Sequence, residues 1–137
     1  MKKLLVAILI LPITVLASPA EEDFGEVAGG YVGLCYGNNI LKKRYCPSVE
    51  EVSTSKCEND VIALLPSKYQ GSMKSALTQS RATFIEDLPD SLDKGYKKSV
   101  VNMNGDRNAA CLTYSASLNS FRYQKFEELK RLVKYLK

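Results

Sequence analysis

Hydrophobic and polar residues follow the period of an α-helix along most of the chain, and the least usual stretch runs over residues 24–41. Four of its glycines, Gly25, Gly29, Gly33 and Gly37, are spaced four residues apart. On a helix this spacing places them on one face, as a strip without side chains, with apolar residues beside it. The pattern therefore predicts a helix with a bare face suited to close packing.

A helix with this composition needs support from its surroundings. Each interior glycine costs about 1 kcal/mol relative to alanine, so four cost about 4 kcal/mol, which is comparable with the net stability of a small domain. A second helix packed closely against the strip would offset this cost, as small residues allow between membrane helices. The alternative is a pair of short strands with turns at Gly29-Gly30 or Gly37-Asn38.

The remainder of the chain keeps helical spacing after Ser48. Ser48 and Glu51 fit a capping box, which predicts a helix that starts there and ends before Pro66. The sequence as a whole predicts an all-α fold, a compact bundle of five or six short helices. Further boundaries are predicted at a connector over residues 67–72, at Pro89, at the turn Asn104-Gly105-Asp106 and at a break at Asn119-Ser120.

The N-terminus carries an export pattern. A charged start is followed by an apolar run over residues 4–16 and by a small-residue cleavage pattern ending at Ala17. We interpret residues 1–17 as a signal peptide, cleaved after Ala17 or, as a second choice, after Ala20. Residues 18–137 then form a single domain.

Charge and composition narrow the functional classes. The chain has 19 Lys and Arg, 15 Asp and Glu, and no histidine. Without the two lysines of the signal peptide the net charge is +2, whereas nucleic-acid binders normally show a stronger basic bias. The lack of histidine excludes Ser-His-Asp and Cys-His catalysis. No cofactor is indicated.

Four cysteines, Cys35, Cys46, Cys57 and Cys111, predict two disulfides in an exported chain. A zinc site is disfavoured because the chain lacks both a C-x-x-C pair and histidine. If helices enter and leave a turn near residues 44–47, Cys46 and Cys57 lie about 16 Å apart, too far for a bridge. This favours Cys35–Cys57 with Cys46–Cys111.

Two weak catalytic patterns occur in the middle of the chain. Glu86, Asp87, Asp90 and Asp93 form its densest acidic cluster, and a pair of carboxylates can hydrolyse a glycosidic bond. The cluster lies at a predicted helix junction, however, where acidic residues are commonly solvated. Residues 53–56 match S-x-x-K, but the motifs that accompany it in penicillin-recognising enzymes are absent.

The C-terminal segment, residues 121–137, predicts a basic amphipathic helix. Such a helix can lie on an anionic membrane or in a partner's groove, although it can equally dock on its own core with its cations in solvent. The basic residues that would form a partner or membrane surface are Arg122, Lys125, Lys130, Arg131 and Lys134.

Taken together, these features favour an exported, non-enzymatic protein that binds another protein, of inhibitor or immunity-protein type. The bacterial style of the leader peptide indicates the periplasm of a Gram-negative bacterium, or secretion, as its compartment. The immunity-protein class is assigned by analogy of size and compartment. The alternatives are a membrane-surface-active protein that uses the C-terminal helix, and a small hydrolase that uses the mid-chain carboxylates. The sequence does not indicate the partner or the oligomeric state.

Overall fold

The computed structural model describes residues 18–136; the expected signal peptide, residues 1–17, and Lys137 lie outside this range. The described part is all-α and contains no strand, as the sequence predicts. The expected number of helices is wrong, because there are four long or medium α-helices rather than five or six short ones. They are α1 (Pro19–Arg44), α2 (Thr54–Leu64), α3 (Ser67–Asn102) and α4 (Arg107–Leu132), followed by a 3-10 turn at Val133–Tyr135.

The glycine-rich stretch is helical, so the strand alternative is wrong. The Ser18 side chain caps α1 by accepting a hydrogen bond from the Glu21 backbone N–H at 3.3 Å, and Pro19 occupies the first turn. Helix α1 contacts α2, α3 and α4. Burial by three neighbouring helices stabilises a segment whose intrinsic helix propensity is poor.

Helix α3 continues for 36 residues, where the sequence predicted a connector, two helices and an end at Pro89. Pro89 lacks the N–H that would bond to the carbonyl of Ile85. Ile85 lies on the exposed side of α3, where water can bond to its carbonyl. Phe84 and Leu92, on either side of the proline, are both buried, so packing holds the helix together across the missing bond.

Helix α4 also continues through a predicted break. Asn119 and Ser120 are exposed, and their polar side chains do not disturb the packed face of the helix. Leu118 and Leu129 are both buried and lie eleven residues apart, which is about three helical turns. A regular apolar face therefore spans the position of the expected break.

The predicted capping box does not begin a helix. The cap of helix α2 lies five residues later, where the Ser53 side chain accepts a hydrogen bond from the Lys56 backbone N–H at 3.1 Å. Side chains of α1 hold the segment before it: Lys42 donates to the carbonyls of Pro47 and Val49, at 2.8 and 2.7 Å. Asn38 donates to the Glu50 carbonyl at 2.9 Å, and Asn39 both donates to the Val52 carbonyl and accepts from its N–H. These bonds keep the segment extended.

The interior divides into two hydrophobic clusters along the bundle. The inner core includes Phe24, Tyr31, Leu77, Phe84 and Leu129 and lies beside the Cys35–Cys57 bridge. The outer core lies beside the Cys46–Cys111 bridge, and its members include Leu41, Leu92, Tyr96, Ala110 and Leu118.

Among the described residues, no helix combines the length and apolarity that crossing a bilayer requires.

Candidate functional site

Two disulfides connect the helices. Cys35–Cys57 joins α1 to α2 with a Cα–Cα distance of 6.7 Å, and Cys46–Cys111 joins the segment after α1 to α4 at 5.7 Å. These are the two pairs that the spacing favoured. Disulfides of this kind indicate an oxidising environment outside the cytoplasm.

An inner trio of Tyr36, Glu58 and Arg81 lies beside the first bridge. Arg81 contacts the Glu58 carboxylate through two nitrogens, at 2.6 and 3.0 Å, and the Tyr36 hydroxyl donates to the same carboxylate at 3.3 Å. The Glu58 side chain is only 6% exposed. A buried carboxylate requires such partners. The inner trio therefore has a structural role at the edge of the inner core.

An outer trio of Arg44, Tyr45 and Asp93 repeats this chemistry beside the second bridge. Arg44 contacts Asp93 through two nitrogens, at 2.9 and 3.0 Å, and the Tyr45 hydroxyl donates to it at 2.6 Å. The Tyr45 hydroxyl and then Arg44 lower the pKa of the Asp93 carboxyl. Asp93 is 22% exposed, so this trio lies at the surface.

A groove of about 540 Å³ opens next to the outer trio. We call it the basic groove. It has three walls. The first is the end of α1 with the segment that follows it (residues 44–48), the second is the last turns of α3 (residues 96–101), and the third is the first turn of α4 (residues 107–111). The Cys46–Cys111 bridge links the first wall covalently to the third. The volume lies within the range of ordinary ligand pockets, about 300–1,000 Å³.

The basic groove combines apolar surface with positive charge. Tyr45 and Tyr96 stack with their ring centroids 4.2 Å apart, and Val101 is 75% exposed. The cations that line the groove are Arg44, Lys97 and Arg107, and none of the described residues that line it is acidic.

The cations differ in their availability. Arg44 is engaged by Asp93. Lys97 and Arg107 form no ion pair with any residue in the range 18–136. The N-terminus of α4, at the third wall, adds a partial positive charge, although Asp106 caps it by accepting from the Ala109 N–H at 3.0 Å. The groove therefore presents an exposed valine together with two cations that have no ion-pair contact within the described part of the chain.

The glycine strip is buried, but only part of the packing interpretation agrees with the structure. All four of its glycines are buried. A methyl group built on Gly33 would lie 3.4 Å from the Phe84 ring, and one on Gly37 would lie 3.5 Å from Leu92. These are ordinary contacts with side chains, so the structure shows no close backbone approach at these two positions. An apolar slot of about 170 Å³ runs along the same face.

The C-terminal basic surface belongs to a helix that is docked on the core. Leu129 is fully buried, and Phe126, Leu132, Val133 and Leu136 pack against the inner core. The expected cations lie around this face without forming one site. Lys125 covers Gly30, Lys130 pairs with Glu127 at 2.8 Å, Arg122 is half-buried, and Arg131 and Lys134 are exposed.

The mid-chain carboxylates lie on one uninterrupted helix rather than at a helix junction. Asp93 is held by the outer trio, and its lowered pKa keeps it ionised, which is unfavourable for a general acid. Asp87 lines the apolar slot, whereas Glu86 and Asp90 are exposed. Within residues 18–136, no cluster of Cys, Asp or Glu could hold a metal ion.

Sequence reasoning missed the basic groove. Its cations, Arg44, Lys97 and Arg107, come from three separate segments, and none belongs to a motif. The preference for Cys46–Cys111 was the only available signal, because that bridge implies that residues near 46 and 111 lie close together.

No protein-family model, no curated protein and no solved structure matches this chain at a significant level. Its class is therefore defined by its fold and site: an all-α domain of four helices with two disulfides, one of which joins two walls of a basic groove.

Proposed function

We propose that this is an exported, non-enzymatic protein that binds another protein, as inhibitors and immunity proteins do, and that the partner docks at the basic groove. The observation that supports this proposal most directly is the exposed Val101 in the same groove as Lys97 and Arg107, neither of which forms an ion pair within residues 18–136. A valine that is 75% exposed at the mouth of a groove gains about 1–2 kcal/mol when a partner covers it.

The composition of the groove supports this role. Tyrosine and arginine are enriched at protein interfaces, and hot spots combine such residues with apolar neighbours. The groove contains the Tyr45–Tyr96 stack, Arg44 and Arg107. The disulfide joins two of its walls, so part of this surface is already ordered before a partner binds. Less conformational entropy is therefore lost on binding.

The groove is a better candidate for the partner surface than the C-terminal helix. The apolar side of that helix, including Leu129 and Phe126, already packs against the inner core. Two of its exposed aromatic residues, Phe121 and Tyr123, are two residues apart and therefore point about 200° apart on the helix. They do not share one face that could lie on a membrane.

Site-specific crosslinking tests the proposal. A photo-crosslinking residue replaces Val101 in the purified, disulfide-bonded protein, and the same residue replaces Ile85 as a control. Ile85 is also on α3 and is 61% exposed, but it is not part of the groove. We expect a discrete adduct with a protein of the exported fraction at position 101 alone, and excess unlabelled protein should compete it away.

The adduct is then identified, and the partner's own activity is measured with and without this protein. An inhibitor or immunity protein should reduce that activity. Equal crosslinking at both positions, or none at position 101, would count against a groove-docked partner. If a partner is crosslinked but its activity is unchanged by this protein, binding is supported and the inhibitor assignment is wrong.

A further inference from the structure

We propose that the basic groove recognises an acidic segment of the partner, in which carboxylates flank an aliphatic side chain. This inference rests on the proposed function and specifies the chemistry of the partner. It follows from the placement of the charges, from the exposed apolar surface of Val101, and from the way the two nearby carboxylates, Asp93 and Asp106, are already engaged.

The charges of the groove are not balanced within the described chain. Arg44, Lys97 and Arg107 line it, and both carboxylates beside it are engaged: Asp93 binds Arg44 and Tyr45, and Asp106 accepts from the Ala109 N–H at the start of α4. Three cations and two carboxylates leave a net charge of one positive. Lys97 and Arg107 make no direct ion-pair contact within residues 18–136, although Lys97 lies near enough to Asp93 to interact with its charge. A partner's carboxylates could therefore bind both cations without breaking a direct ion pair.

The two free cations lie on different walls. Lys97 is on α3, one helical turn before Val101, and Arg107 is at the start of α4. A ligand that reaches both therefore crosses the groove and passes Val100 and Val101. An aliphatic side chain between two carboxylates would cover these valines, and the carboxylates would gain charge-assisted hydrogen bonds from the two cations.

The occupant is more consistent with a protein segment than with a lipid surface. The cations lie around a concave opening rather than on a flat face. A polypeptide can supply both carboxylates and the aliphatic group from consecutive residues, whereas a bilayer presents its headgroups in a plane. Binding to vesicles of anionic phospholipid is measured in the same experiment and tests whether the ligand is a lipid surface.

The experiment measures fluorescence anisotropy with short labelled peptides and the full disulfide-bonded protein. The first peptide has a leucine flanked by glutamates, the second replaces the glutamates with glutamines, and the third replaces the leucine with glycine. We expect the first to bind most tightly, with at least a tenfold loss of affinity for either analogue. Raising NaCl from about 50 to 500 mM should weaken the first peptide severalfold.

Charge reversal provides the matched control. The affinity of the double variant Lys97→Glu/Arg107→Glu for the first peptide should be at least tenfold lower than that of the parent protein. Arg131→Glu/Lys134→Glu changes the net charge equally at two exposed sites outside the groove and should bind it as the parent does. Circular dichroism and unfolding curves establish that both variants are folded.

The outcomes separate the two proposals. If the neutral peptide binds as well as the acidic one, or if both double variants lose binding equally, acidic recognition is wrong. If vesicles of anionic phospholipid bind through Lys97 and Arg107 while the acidic peptide does not, the ligand is a lipid surface and this inference is overturned. If no peptide binds, the inference fails even where position 101 still crosslinks to a partner, and that crosslink alone decides the proposed function.

Discussion

The two ends of the bundle use the same chemistry for different purposes. Each end has a disulfide, and next to one of its cysteines is a tyrosine whose hydroxyl donates to a carboxylate that also binds an arginine. At the inner end the carboxylate, Glu58, is buried, whereas at the outer end Asp93 is partly exposed and borders the basic groove. The difference indicates that the inner trio closes the core, while the outer trio shapes a surface.

The largest expected effect is the loss of a disulfide. The outer bridge links residues 65 apart and the inner bridge links residues 22 apart. In the chain-entropy model the longer loop contributes about 4 kcal/mol and the shorter about 3 kcal/mol. We therefore expect Cys46→Ala/Cys111→Ala to lower the free energy of unfolding more than Cys35→Ala/Cys57→Ala does, as measured by urea unfolding. The reverse order would show that strain or residual structure outweighs loop length.

Removal of each carboxylate compares the trios directly. Glu58→Ala removes a buried group with charge-assisted bonds to Arg81 and a bond from Tyr36, and it should cost about 2–3 kcal/mol. Asp93→Ala should cost clearly less, because both Asp93 and Arg44 can be solvated. Urea unfolding of both variants tests this. Equal losses would mean that the outer trio is also part of the structural core.

Two glycines sharpen the comparison further. A methyl group on Gly95 would lie within 2.6 Å of the Tyr114 ring, whereas one on Gly37 makes only an ordinary contact. Gly95→Ala should therefore cost about 1–3 kcal/mol from overpacking. Gly37→Ala should add about 1 kcal/mol through higher helix propensity. Thermal unfolding measures both, and a loss of stability at Gly37 would show that the slot beside it cannot accept a methyl group.

The smallest expected effect is the pH dependence of the outer trio. The Tyr45 hydroxyl and Arg44 lower the pKa of Asp93 in the folded state. Its contribution to stability is therefore present above the unfolded pKa of about 4 and is lost as pH falls through the lower folded pKa. Asp93→Asn should flatten the acid limb of the stability curve. An unchanged acid limb would mean that Asp93 titrates alike in both states.

Three tyrosines, including Tyr45 of the outer trio, make the stability depend on pH in the alkaline range. The hydrogen bond to Asp93 raises the pKa of the Tyr45 hydroxyl, and burial raises the pKa of Tyr31 and Tyr114. Their contributions are complete below pH about 10 and are lost as pH rises through the folded pKa values. The ultraviolet absorbance of tyrosinate follows this titration, and Tyr45→Phe should remove one late-titrating group.

Much of the fold could be predicted because it depends on local patterns. Helical periodicity, the cap at Asp106 and the turn at Asn104-Gly105 are all present, and both turn residues have positive φ. The boundaries at Pro89 and at Asn119-Ser120 were wrong because packing overrides local propensity there. Phe84 and Leu92 hold α3 together on either side of a missing hydrogen bond.

The site was largely beyond prediction. Gly95, outside the conspicuous strip, has tighter surroundings than Gly33 and Gly37 within it, and its restriction comes from Tyr114, nineteen residues later. The groove likewise depends on which helix ends meet. Sequence spacing favoured the pairing of Cys46 with Cys111, but it could not show that Lys97 would line the same groove and form no ion pair within residues 18–136.

Pro89 has a mechanical consequence for the groove. It lies on α3 between Arg81 of the inner trio and Asp93 of the outer one, and its missing backbone bond makes this turn the easiest place for the helix to flex. Flexing there would swing the Tyr96–Val101 wall while Arg81 keeps its position. Of the three walls of the groove, this is the one that the Cys46–Cys111 bridge does not tie, so bending at Pro89 would change the width of the groove.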